Sequence, residues 1–191
     1  MLDPLSTWLS EYEKLPVDKT GDDSPKNIAN FLDQRVNKKM DLKNSTVKMT
    51  PPPQFMWAKG VFQSLFAIIT KIPVPDQITP AIKIATAWQS SILASGMIIQ
   101  TGASMNPPPP GTNAIVGSAV AILDPPTLAA AYSTLISDLV KAKPSSKNLE
   151  AEFPKAMYKA FSSLTYTITG VDTKPPPTGP IPFTLPLTGV Q

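Results

Sequence analysis

The 191-residue chain contains no cysteine and no histidine. Without cysteine it can form no disulfide, thiolate metal site or thiol nucleophile. Without histidine it lacks the commonest general base and metal ligand, so a Ser-His-Asp triad and an H-E-x-x-H site are excluded. Charge is also scarce: Asp, Glu, Lys and Arg make up 16% of the residues, against about a quarter in ordinary globular chains. The nine glycines form neither a G-x-x-x-x-G-K-[ST] loop nor a G-x-G-x-x-G turn, which removes the usual phosphate cradles. Acidic residues are dispersed. Glu11 and Glu13 lie two apart, as do Glu150 and Glu152, a spacing that does not share a helix face. Asp22-Asp23 in a turn has no ring of further oxygen ligands. These absences lead to a non-enzymatic reading, with no cofactor, metal or catalytic residue expected.

Net charge is +3, from 17 basic and 14 acidic residues, too small to imply nucleic-acid binding. The first fifty residues hold eight of each sign, and Arg35, Lys38, Lys39 and Lys43 read as a solvated helix face. No aromatic ladder alternates with basic residues. The start, Met1-Leu2-Asp3-Pro4, has neither a basic lead nor an apolar run, so no secretory leader is expected.

Proline is the excess, 23 residues, or about twice the usual share. Together with 42% hydrophobic residues it indicates folded helices joined by stiff segments rather than a disordered chain. Asp3-Pro4, Ser24-Pro25, Thr79-Pro80 and Asp124-Pro125 each place a capping residue before proline, the arrangement of a helix start. Helices are predicted over about 4–14, 25–40, 54–71, 80–100, 113–123, 125–143 and 147–164, with Pro154 a start or kink inside the last. Thr165–Thr169 favours extended backbone. Pro51–Pro53, Pro107–Pro110 and Pro175–Pro177 read as polyproline spacers.

The expected class is therefore mainly α: short proline-capped helices in a small bundle, with extended connectors and an extended C-terminal arm. Three regions are expected: a polar helical part over 1–50, a helical core over 51–170 and a proline-rich arm over 171–191 whose prolines bar it from a central strand. From Ile84 to Leu123 forty residues carry no charge. Core and subunit interface account for this better than membrane, because Ile84–Ile99 has only sixteen residues and includes Thr86, Gln89, Ser90, Ser91 and Ser95, whereas a span needs about 20 predominantly apolar ones. Membrane association through 84–123 is the alternative. Candidate interface residues are Trp57, Phe62, Trp88, Ile92 and Met97 in the helical part and Ile181, Phe183, Leu185 and Leu187 in the arm.

Four segments carry a family likeness: Met105-Asn106-Pro107-Pro108-Pro109-Pro110-Gly111 with the Ala/Ser-rich stretch after it, Phe153-Pro154-Lys155-Ala156, and Thr167-Ile168-Thr169-Gly170 before the arm. Over about residues 80–191 this texture resembles virion structural proteins of tailed, especially contractile-tailed, bacteriophages, of the small neck, baseplate or capsid-associated kind. The resemblance implies homo- and hetero-oligomeric contacts with other structural subunits, a place in the virion after assembly in the host cytoplasm, and no catalytic residue. Neither nucleic acid nor membrane is an expected partner.

Overall fold

A computed structural model describes residues 2–16, 23–37, 48–50, 54–71, 79–98, 104–106, 120–123, 125–142, 146–171 and 182–188. Among them are six helices: α1 Leu5–Tyr12, α2 Ser24–Val36, α3 Lys59–Thr70, α4 Thr79–Leu93, α5 Pro125–Lys141 and α6 Ser146–Ser162. Seven short strands join them: β1 Lys48–Thr50, β2 Gln54–Met56, β3 Gly96–Ile98, β4 Ser104–Asn106, β5 Val120–Leu123, β6 Thr165–Val171 and β7 Pro182–Thr188. The chain is mainly α, a small helical bundle as its composition leads one to expect.

All four Asp/Ser/Thr–Pro pairs mark helix starts to within a residue. The detail at α1 differs from a simple cap. Pro4 itself takes the cap position, its carbonyl accepting from the Thr7 and Trp8 amides at 2.9 and 3.3 Å. The Asp3 carboxylate instead meets Arg35 of α2 at 3.2 Å. Arg35 is consequently not on a solvated face: its side chain is 12% exposed, lies 5.7 Å from the Phe31 ring centre, and also reaches Glu11 at 3.5 Å. Lys38, Lys39 and Lys43 lie outside the described residues.

From α2 to α6 each helix packs on the next in chain order, and α1 closes the ring by resting on α6 and touching α2. Apolar residues recur at three- and four-residue spacing on the inner faces, as Leu128, Ala131, Leu135 and Leu139 do on α5 and Phe153, Met157, Ala160 and Leu164 do in and just after α6. At the centre stands Phe161. Its ring lies 5.7 Å from Trp57, 6.1 Å from Trp88 and 6.3 Å from Trp8, so all three tryptophans of the chain converge on it. The first two meet it edge to face, the favoured geometry for aromatic quadrupoles.

Helices α3 and α4 run antiparallel, because the strands flanking them pair: β2 with β3 (Phe55 opposite Met97) and β1 with β4 (Met49 opposite Met105). Serines of α4 and the turn after it fasten this junction. The buried Trp57 indole N–H donates to the Ser91 hydroxyl at 2.9 Å, which donates to the Trp88 carbonyl at 2.7 Å. The Ala58 amide donates to the Ser95 hydroxyl at 3.0 Å, which donates to the Ser91 carbonyl. The polar groups that this junction draws inward thereby find partners. The buried Trp8 and Trp88 indole N–H groups, by contrast, have none among the described residues.

Three predicted helices need correction. The one predicted over 54–71 begins at Lys59, because Gln54–Met56 is drawn into pairing with β3. The one over 80–100 ends at Leu93, after which Gly96–Ile98 forms β3. Within 113–123, Val120–Leu123 is a strand paired with β6, its alternating Val/Ile and Ala/Leu suiting a pleat, and 113–119 lies outside the described residues. The last helix starts at Ser146 and carries Pro154 in its interior, where proline removes the bond to the Glu150 carbonyl. Of the spacers, 51–53, 107–110 and 175–177 lie outside the described residues.

Candidate assembly interface

The alternation Thr165-Tyr166-Thr167-Ile168-Thr169 gives β6, and Phe183-Thr184-Leu185-Pro186-Leu187 gives β7. These strands and β5 form a three-stranded antiparallel sheet in the order β5-β6-β7. The central position falls to β6, which, like β5, holds no proline. Pro182 and Pro186 sit on the edge strand β7, where a missing N–H does not interrupt the interior ladder. Part of the region expected to be an arm, Pro182–Thr188, thus returns to pair with β6 of its own chain.

Register sorts the residues. Tyr166 is opposite Leu187 and Leu123, Ile168 opposite Leu185 and Ala121, and Gly170 opposite Phe183, so these positions share one face of the sheet. The other face has Thr165, Thr167, Thr169, Thr184 and Thr188, with Pro182, Pro186, Val120, Ile122 and Val171. One face is therefore apolar in sequence, whereas half of the positions on the other are threonine. Among the described elements the sheet's neighbour is β3, beside β5, and no described helix makes more than marginal contact with it.

The candidate interface residues separate accordingly. Trp57, Phe62, Trp88 and Ile92 are buried in the chain's own core, so they anchor the fold. Met97, on β3, is half-buried against that core. Phe183, Leu185 and Leu187 stand at alternate positions of β7 on the apolar face, and Ile181 lies outside the described residues. Sequence reasoning missed the partners β5 and β6 contribute to that face. The two-residue alternation from Thr165 to Val171 signals β6, whose first residues were expected to be extended, whereas nothing local to Val120–Leu123 signals β5. Among the described residues, sequence reasoning also missed four large apolar side chains left in solvent: Ile68, Ile82, Leu93 and Ile98, at 61%, 41%, 65% and 46% exposure.

A second surface feature is a cleft of about 750 Å³ between α1, α5 and α6, bordered by Leu5, Asp138, Lys141, Glu152, Lys155 and Lys159 among others. Lys159 of α6 pairs with Asp138 of α5 at 3.1 Å, and Lys155 with Glu152 at 2.8 Å. Each carboxylate thus has its own ammonium, and the cross-helix pair ties α5 to α6 by an amount that solvent screening keeps below about 1 kcal/mol. At the α1–α2 junction the Glu11 carboxyl is held below its ordinary range, first by the hydrogen bond from Lys14 and then by the charges of Lys14 and Arg35. Among the described residues no three acidic side chains gather as a metal site, and no helix is long and apolar enough to cross a membrane. The described parts of the uncharged segment 84–123 are divided among α4, β3, β4 and β5.

No family model, curated protein or solved structure matches this chain.

Proposed function

We propose that this chain is a non-enzymatic structural subunit of a multi-protein assembly, bound to homo- and hetero-oligomeric neighbours through apolar surfaces. The assembly is the virion of a tailed bacteriophage, with the chain in its tail, neck, baseplate or capsid-associated parts after assembly in the host cytoplasm. The virion assignment rests on the sequence texture of residues 80–191. The assembly role rests on the sheet.

The supporting observation is the register that brings Ala121, Leu123, Tyr166, Ile168, Phe183, Leu185 and Leu187 to one face of a sheet with which no described helix makes more than marginal contact. With strands up to seven residues long, such a face measures about 23 Å by about 14 Å, from rises of about 3.3 Å and strand spacings of about 4.8 Å. An apolar face of that order, roughly 300 Å², is of the size of the largest apolar patches on single chains, which are often functional. Burying it releases roughly 25 cal/mol per Å² of apolar area. The prolines of β7 discourage strand addition at that edge, which directs association to the face.

Truncation after Val171 removes β7 and three of the seven residues of the apolar face without touching a described helix. The expected outcome is a chain with native helical far-UV circular dichroism that is missing from gradient-purified particles. Full incorporation of the truncated chain would contradict the proposal.

A further inference from the structure

We infer that the outer face of α4 pairs with α4 of a second copy of this chain, antiparallel about a two-fold axis. Helix α4 has two faces. Ala81, Ile84, Ala85, Trp88 and Ile92 point into the core, whereas Ile82 and Leu93 remain 41% and 65% exposed. Eleven residues separate these two, which is three turns and about 20°, so they stand on one stripe about 16 Å apart. Thr86 and Gln89, both half-buried, fall between them. The spacing Ile82, Thr86, Gln89, Leu93 is four-three-four, that of a coiled-coil seam.

Three properties of this stripe select a second copy as its occupant. The stripe is palindromic in size: large apolar residues at both ends, small or polar ones in the middle. Placed antiparallel, Ile82 falls opposite the second copy's Leu93 and Thr86 opposite its Gln89, and the same matches repeat across the axis, as an isologous contact requires. The stripe carries no charge, so nothing in it selects a charged partner and nothing repels a copy of itself. Its polar groups also suit the arrangement. The Thr86 hydroxyl already donates to the Ile82 carbonyl at 2.8 Å and demands no partner. The two Gln89 amides, each both donor and acceptor, lie within about 5 Å of one another along the axis and can bond across it. Exposed Ile68, at the α3 end beside the start of α4, and Ile98, in β3 just after its end, extend the apolar surface at both extremities.

A three-turn seam buries less than the roughly 800 Å² per partner of a standard stable complex. Pairing is therefore concentration-dependent in free solution and strengthened wherever copies are held close together. The inference is independent of the sheet and of the virion assignment, and it is tested in solution on the full chain.

Sedimentation velocity across a concentration series reads the association constant for the wild type, Leu93→Lys, Ile82→Glu and the double variant. Far-UV circular dichroism checks that the helices persist. The wild type is expected to dimerise, and each single variant to weaken the dimer at least about tenfold. In the double variant the carboxylate introduced at position 82 faces the ammonium introduced at position 93 of the other copy, so association is expected to return to within about threefold of wild type. A double variant as weak as the singles overturns the antiparallel pairing. A wild-type chain that stays monomeric throughout overturns it too, including one that floats with phosphatidylcholine vesicles and so assigns the stripe to lipid.

Discussion

Phe161→Ala removes the ring on which the three tryptophans converge. A buried Phe→Ala change costs about 3–5 kcal/mol, through lost transfer energy and the cavity left behind. Phe161 is fully buried, and its ring meets Trp57, Trp88 and Trp8 at 5.7, 6.1 and 6.3 Å. Aromatic pairs of this kind add about 0.5–1.5 kcal/mol each beyond area. The surrounding rings belong to α1, α4 and the loop before α3, so no single element can move inward to refill the space. The expected loss is thus at least the middle of the range, about 4 kcal/mol, against a total stability of about 5–15 kcal/mol for a domain. In urea, with a slope of about 2 kcal/mol per M, the midpoint falls by about 2 M at unchanged slope. Tryptophan emission and far-UV circular dichroism should report the same transition, because the indoles border the altered site while the helices unfold with it. Native emission should shift red. Ser64→Ala, at an exposed position of α3, serves as control and stays within about 0.5 kcal/mol. A Phe161→Ala cost below about 1 kcal/mol, or one no larger than the control's, would refute the assignment of Phe161 as the centre of the core.

Two further outcomes are expected. Ser91→Ala leaves the buried Trp57 indole N–H without its acceptor and should cost about 1–3 kcal/mol. Adding Trp57→Phe should recover part of that, and a double-mutant cycle without a coupling energy of at least about 0.5 kcal/mol would show that the 2.9 Å bond carries no weight. The Glu11 carboxyl, lowered chiefly by Lys14, contributes stability that is fully present above its ordinary value of 4.5 and is lost as pH falls through its lower folded value. Lys14→Met should move the Glu11 side-chain NMR titration upward and narrow that window, and an unmoved midpoint would discount the Lys14 contact.

The two polar junctions illustrate how little sequence distance constrains contact. Arg35 lies 32 residues from Asp3, and Trp57 lies 34 from Ser91. Nothing local to either residue announces its partner. The same holds for the tryptophans, whose surroundings are apolar in sequence whether they anchor a core or an interface. Their burial around Phe161 assigns them to the core, and only packing of α1, α4 and α6 together could show it.

Helix existence was legible because it is written locally. Proline after Asp, Ser or Thr marks a start, and apolar residues at three- and four-residue spacing mark a buried face; of the seven segments read as helices, six hold one, and in the seventh Val120–Leu123 is a strand. Helix ends were less legible, since Gln54–Met56 and Gly96–Ile98 become strands only by finding each other across the α3–α4 hairpin. Val120–Leu123 is the sharpest case: four apolar residues suit a helix or a strand equally, and pairing with β6, more than forty residues later, decides. The absence of charge over 84–123 was visible at once, but its meaning was not. On α4 one side of the helix enters the core while Ile82 and Leu93 stay in solvent, and that division depends on where α3 and α5 lie. Composition and local periodicity determined the helices; long-range strand pairing determined the sheet, and the packing of the helices on one another decided which of their apolar residues are buried and which stay exposed.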